Sequence, residues 1–259
     1  MGFVVSHLSK AFGTGDESVY ALKDVSLTIN DNEFSCIIGP SGCGKSTLLD
    51  ILAGLTAASS GDVTFNGRRI TGTNKNIGVV FQDPSLYPWR TILSNVGIGL
   101  ELNHVKKKIR NEKVLNYLKR VGLAGFENKY PNQLSGGMKQ RAGIARALVN
   151  EPKVLLMDEP FGALDYLTRL NMQEDLLKIW SSDRRTIVFV THDIAEAIYL
   201  ADRIVLLSDR PGRVRRTFHI TQPRPRRRDD EELIRMQTTI YRLIKQEKEQ
   251  ITVKAGNLY

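Results

Sequence analysis

Gly39-Pro40-Ser41-Gly42-Cys43-Gly44-Lys45-Ser46 has the spacing G-x-x-x-x-G-K-[ST], and each part of that string suits an anionic phosphate. The glycines let backbone N–H groups converge on phosphate oxygens at a helix N-terminus. Lys45 adds a point charge near the β- and γ-phosphates, and Ser46 offers a hydroxyl to Mg2+. A flexible turn would use the same glycines. Here, however, the string follows the apolar run Phe34-Ser35-Cys36-Ile37-Ile38 and opens a helix-forming stretch that begins with Lys45, Ser46 and Thr47, which is the context phosphate binding requires.

Two further strings carry chemistry. Val154-Leu155-Leu156-Met157-Asp158-Glu159 reads as a buried strand ending in two carboxylates. Asp158 is then placed beside Mg2+ at a phosphate loop, and Glu159 can polarise an attacking water. In Leu134-Ser135-Gly136-Gly137-Met138-Lys139-Gln140 the Ser-Gly-Gly turn opens a helix running through Arg141, Ile144, Ala145 and Leu148. That makes a second helix N-terminus suited to an anion, and two in one chain point to a nucleotide shared between subunits.

The elements that must position these residues follow from the patterning. Short β-type runs over residues 1–35, broken by Gly13-Thr14-Gly15-Asp16, predict antiparallel strands and a turn. Phe34–Ile38 predicts a buried strand, followed by a helix from Lys45 to about Gly54. Asp62–Phe65 and Ile77–Phe81 are β-like, and residues 84–150 read as mostly helical, with an amphipathic helix over Lys106–Val121. From Val154 buried strands return at 154–157, 186–190 and 204–207, alternating with helical segments, which predicts a largely parallel sheet. Asp229, Asp230, Glu231 and Glu232 suit the positive end of a last helix, whose Leu233, Met236, Ile240 and Leu243 form one apolar face for docking.

Composition bounds the function classes. The 259 residues are 41% hydrophobic and 25% charged, as expected of an ordinary globular protein. No run approaches the roughly 18 apolar residues that span a bilayer, and no leader pattern is visible, so a cytosolic location is expected. Met1-Gly2-Phe3-Val4-Val5-Ser6 fits a myristoylation pattern but reads on into an apolar strand, which is the preferred reading. Cys36 and Cys43 are too few for a zinc site or a disulfide framework. The net charge is +9, and the segment from Arg203 to Arg228 holds nine arginines against one acid, Asp209. A single basic segment in a near-neutral body predicts a solvated elbow, with an anionic-lipid contact as the alternative, rather than a groove for a duplex.

From about Phe3 to the tail, and in motif order, the chain resembles the ATP-binding-cassette (ABC) ATPases. The resemblance implies an α/β fold: a P-loop NTPase (RecA-like) core with an antiparallel β subdomain and an inserted helical subdomain. Residues 1–220 would form the ATPase domain, with core and β parts in 1–85 and 151–220 and the helical part in 86–150. Residues 221–259 would form the basic elbow and the C-terminal helix. It further implies a homodimer in which the phosphate loop of one subunit and Leu134, Ser135, Gly136, Gly137 and Gln140 of the other sandwich ATP with Mg2+. Gln82 matches the glutamine that touches Mg2+ and the attacking water, Asp165 the loop crossing the dimer interface, and His192 the switch histidine at the γ-phosphate. Read bare, His192 would be a satisfied histidine at a strand end. An aromatic residue stacks on adenine in this family, for which Phe12 is the first candidate and Tyr20 the second.

Phe81–Trp89 with Asn95-Val96 after it, Asp158–Asp165 and Leu207–Arg213 look most like ATPases of nitrate, sulfonate, taurine and related small-anion importers, and relatives that import pyrimidine or vitamin precursors share these segments. That branch implies an integral-membrane permease, an extracytoplasmic solute-binding protein met only indirectly, and a peripheral place on the cytoplasmic face of the membrane, with no nucleic acid. Leu86-Tyr87-Pro88-Trp89 is an apolar, aromatic turn of the type enriched at interfaces; it is read as lining the groove for a permease coupling helix, with a local minicore as the alternative. An exporter ATPase and a soluble ABC protein acting on nucleic acid are the rival functions.

Overall fold

The computed structural model describes residues 2–13 and 17–256, the last ten of these as backbone. Thr14, Gly15 and Asp16 of the expected first turn therefore lie outside the described residues, as does Met1 of the myristoylation pattern. The chain forms two compact units, Met1–Thr73 with Val188–Tyr259, and Asn74–Ile187.

In the first unit β1 (Phe3–Phe12) pairs antiparallel with β2 (Val19–Ile29), from Phe3↔Ile29 to Phe12↔Val19. β3 (Phe34–Ile38) follows, then α1 (Lys45–Leu52), β4 (Ser60–Phe65) and β5 (Arg68–Arg69), with β4 on the other side of β1. The period-2 pattern of β1 buries Phe3 and Val5, and a register irregularity between Val5 and Leu8 resets the phase so that Leu8 is buried as well; the Phe3 and Phe65 rings meet at 5.0 Å. β3 behaves differently, since all five of its residues are buried, as expected of a strand covered on both faces.

The second unit holds β6 (Ile77–Val80), α2 (Ile92–Val96), α3 (Ile98–Leu102), α4 (Lys107–Arg120), α5 (Gly136–Leu148), β7 (Val154–Asp158) and α6 (Tyr166–Ser182). β6 and β7 run parallel, from Ile77↔Val154 to Val80↔Met157. The chain passes from the second unit to the first within β8 (Thr186–Val190), which is buried throughout. It continues through α7 (Ile194–Leu200), β9 (Arg203–Leu207), β10 (Val214–His219) and α8 (Glu231–Gly256). β9 lies parallel to β3, and β10 lies antiparallel to β9. Among the described residues no helix is long and apolar enough to cross a membrane.

The arginine segment is a solvated elbow only in part: Arg210, Arg213, Arg216, Arg227 and Arg228 are exposed, but the others are tied into the fold. Arg215 and Arg216 belong to β10, and Arg203 pairs with Glu33 at 2.7 Å. Arg226 is only 6% exposed and donates to the carbonyls of Ile198 (2.9 Å), Tyr199 (3.2 Å) and Ala201 (2.6 Å). Arg224 donates to Leu200 O and to Asp202, each at 2.5 Å. These two guanidinium groups satisfy the carbonyls that α7 leaves unpaired at its C-terminus, where a cation is also favoured by the helix dipole. Burial, with Arg224 nearby, pulls the Arg226 pKa down to about 10, so it stays charged at neutral pH. Asp230 caps α8 by accepting from Leu233 N at 3.1 Å, and the buried Leu233 and Ile240 lie on a helix in contact with α7.

Arg226→Ala leaves several buried carbonyls without a donor and is expected to cost about 2–4 kcal/mol of stability. Urea denaturation reads this as a lower midpoint at unchanged slope. An unchanged midpoint would mean that the arginine is as dispensable as a solvated one.

Candidate active site

In the first unit the buried strand β3 ends at Ile38, and the chain turns through Gly39–Gly44 into α1. Gly42 (φ 79°) and Gly44 (φ 97°) occupy the left-handed region, which costs glycine least. Gly44 is the N-cap and supplies no side-chain cap to the first-turn amides. Lys45 is 5% exposed, and its Nζ donates to Gly39 O and Pro40 O, both at 3.0 Å. A buried ammonium held by two neutral carbonyls is electrostatically unbalanced, and an anionic phosphate corrects that imbalance. Burial raises the Cys43 thiol above its ordinary pKa, so the loop carries no thiolate to oppose an anion.

Two supports of this loop were missed in the sequence. The Ala21 carbonyl would lie 2.8 Å from a Cβ added at Gly44, and the Cys43 carbonyl 2.1 Å from one added at Gly212. Gly212 N donates to Ala21 O (2.9 Å) and Lys23 N to Gly212 O (3.0 Å), so β2 and the turn before β10 brace the phosphate loop from behind. The adjacent Pro211-Gly212 pair was the one available signal, and it reads equally well as an ordinary turn.

His192 follows β8 on the same unit. Thr191 N donates to Ile37 O at 3.2 Å, which ties this strand end to the last residues of β3, just before the loop. Asp193 caps α7, accepting from Glu196 N at 3.1 Å. His192 is exposed, unlike a core histidine. Phe12 and Tyr20 are 48% and 42% exposed, so neither is core packing, and each lies beside a lysine ammonium, Lys10 at 5.0 Å and Lys23 at 5.2 Å from the ring centroids.

In the second unit Gln82 follows β6 and Glu159 follows Asp158 at the end of β7. A Cβ built at Gly162 would lie 3.6 Å from Gln82 Nε2 and 3.8 Å from Glu159 Oε2, so the amide and the carboxylate flank one turn. Gly162 N donates to Glu159 O at 3.1 Å, closing that turn. Glu159 has φ 40°, left-handed backbone in a non-glycine residue, and strain of this kind gathers at functional sites. The Ser46 hydroxyl, Gln82 amide oxygen and Asp158 carboxylate are hard oxygen donors, the class that Mg2+ takes alongside phosphate oxygens.

Ser135 caps α5, its hydroxyl accepting from Met138 N at 3.3 Å, and Leu134 before it is buried. A Cβ at Gly137 would meet Thr168 Cγ2 at 2.7 Å, and one at Gly136 would lie 3.9 Å from Leu164. The glycines thus bring the start of α5 against the start of α6, which Asp165 caps by accepting from Thr168 N at 3.0 Å. Hydrogen bonding from Thr168 holds the Asp165 carboxyl below the usual range. Ser135, Gly136, Gly137 and Asp165 are therefore neighbours. Gln140 corrects the expectation that it faces a partner's nucleotide. It is 2% exposed, and its amide is turned to Phe81 O at 3.4 Å, next to Gln82.

The family model described as ABC transporter matches residues 22–162. An uncharacterized ABC transporter ATP-binding protein of Methanocaldococcus jannaschii is 47% identical over 243 residues, covering 94% of this chain and 91% of that protein. The aliphatic sulfonates import ATP-binding protein SsuB of Bacillus cereus is 45% identical over 227 residues, covering 88% of this chain and 89% of that one. Among solved structures, a dimeric ATP-binding cassette in a post-hydrolysis state bound to ADP and Pi is similar at a TM-score of 0.75 and 37% identity, covering 85% of this chain and 100% of that chain.

Proposed function

The chain belongs to the ABC transporter family and is an ATPase, and we propose that it energises uptake of a small anionic or vitamin-precursor-like solute, of the nitrate, sulfonate or taurine type, through a separate membrane permease. The observation that carries the catalytic half is the buried Lys45 ammonium curled over two carbonyls of its own glycine turn, a geometry that serves phosphate oxygens. The importer half is supported by the likeness to an aliphatic sulfonates import ATP-binding protein across 88% of the chain.

In the proposed cycle two copies close head to tail on ATP. Lys45 and the backbone N–H groups from Ser41 to Thr47 hold the phosphates, Phe12 stacks on the adenine, and Ser135, Gly136 and Gly137 of the other copy meet the γ-phosphate from the far side. Ser46, Gln82 and Asp158 would hold Mg2+, which when bound would supply positive charge against the charge that develops on the transferring phosphoryl group. Glu159 Oε2 accepts a proton from the attacking water, Gln82 orients that water, and His192 donates to the γ-phosphate. Asp165 crosses to the partner copy. Closure pulls on the permease at the cytoplasmic face of the membrane and hydrolysis reopens the pair, while an extracytoplasmic protein delivers the solute.

The loop after Gln82 would meet the permease. Trp89 is 72% exposed, and its ring lies 5.5 Å from that of Tyr87, an aromatic pair suited to anchoring an interface. Trp89→Ala is expected to reduce co-purification of the permease about tenfold or more, the loss of a single hot-spot side chain, with thermal stability kept because the side chain is largely outside the core. Undiminished co-purification and coupled transport would remove the loop from the interface.

A further inference from the structure

The loop that presents Trp89 has no regular secondary structure, yet side chains seize its backbone at both ends. At the far end Asn95, fully buried, accepts from Tyr87 N at 2.7 Å and donates to the carbonyls of Tyr87 (3.1 Å), Arg90 (2.9 Å) and Thr91 (3.1 Å). At the near end Arg146 donates to Pro84 O at 2.5 Å and Ser85 O at 2.9 Å. A fully hydrogen-bonded network of this kind fixes one conformer. Residues 84–91 are thereby shaped before any partner arrives, which lowers the ordering cost of binding.

The near anchor belongs to α5. Gln140, Gly143 and Arg146 are spaced three apart and share one face of that helix. All three meet the same short segment. Gln140 reaches Phe81 O at 3.4 Å, a Cβ at Gly143 would come within 3.1 Å of Pro84, and Arg146 holds the next two carbonyls. The same helix is opened by Ser135, and thirteen residues of helix form a rod about 20 Å long. Burial lowers the Arg146 pKa from its ordinary value, so the guanidinium sits in a partly desolvated slot.

We infer that Arg146 is a positioning residue that makes the aromatic loop and the Ser135 helix move as one body, so that engagement of nucleotide at Ser135 is felt at Trp89. The inference rests on the reading above that Ser135 meets ATP, and it requires no permease to test. The full chain carrying Glu159→Gln is titrated with MgATP while tryptophan emission and acrylamide quenching are followed. The contribution of Trp89 is identified by its absence in Trp89→Phe. The expected result is an ATP-dependent shift in Trp89 emission that Arg146→Gln abolishes although ATP still binds by calorimetry, and that Arg146→Lys, which can satisfy one of the two carbonyls, partly restores.

A full shift retained in Arg146→Gln overturns the inference, as does ATP binding with no shift when Arg146 is intact. Failure of the Arg146-containing chain to bind MgATP overturns the functional reading instead. If Arg146→Gln does not fold, Arg146→Lys carries the test: a reduced shift supports the inference and a full one overturns it.

Discussion

Lys45→Ala is expected to reduce ATP hydrolysis on the order of 1,000-fold, with most of the loss visible as loss of ATP binding. The native ammonium is buried and makes two charge-assisted hydrogen bonds, to Gly39 O and Pro40 O. It can exchange both for phosphate oxygens at little positional cost. Each charge-assisted bond is worth about 1.5–3 kcal/mol, and two lost together set the size of the effect. Alanine also frees the turn between β3 and α1, so equilibrium dialysis of ATP and steady-state hydrolysis are read together with the thermal midpoint. Near-native turnover in a folded Lys45→Ala chain would show that this loop does not hold the reacting phosphate.

Glu159→Gln is expected to act differently. Glutamine preserves the size of the side chain and its place beside Gln82 and Gly162, and it faces the same left-handed φ of 40°, but it cannot take a proton from water. Removing a general base lowers the rate by about 100- to 10,000-fold, while the phosphate loop is untouched. ATP should then accumulate unhydrolysed between two copies. Size-exclusion chromatography with light scattering should find twice the monomer mass with MgATP and the monomer mass without it. Normal turnover would take the base role away from Glu159, and slow turnover with no ATP-dependent dimer would place the nucleotide within one copy.

The contrast between these residues and the arginine segment explains what the sequence could and could not reveal. The phosphate loop was legible because its requirements are local: glycines for left-handed backbone, a lysine and a hydroxyl at fixed offsets, and an apolar strand just before them. Ser135 was legible as the start of a helix for the same reason, whereas Asp165 was singled out only by the family resemblance, and the nearness of the two depends on Gly137 meeting Thr168 within the second unit. β10 was missed because Val214-Arg215-Arg216-Thr217-Phe218-His219 is an edge strand carrying charge on its open side, and it lacks the alternation that marks a half-buried strand. Arg226 looked solvated because its partners are the carbonyls ending α7, about 25 residues upstream, and composition cannot register a contact at that distance. Gln140 and Gly212 share this character. Their roles are set by Phe81 O and by the Cys43 carbonyl, groups that every sequence contains and none advertises.

Whether this ATPase drives an importer is decided by mass spectrometry of what co-purifies with the tagged chain from gently solubilised membranes of its own host. The expected result is a multi-spanning permease of the importer type, together with its extracytoplasmic solute-binding protein, whose ligand would then identify the cargo. Recovery of ribosomal proteins or nucleic acid, with no membrane-spanning partner, would overturn the importer role.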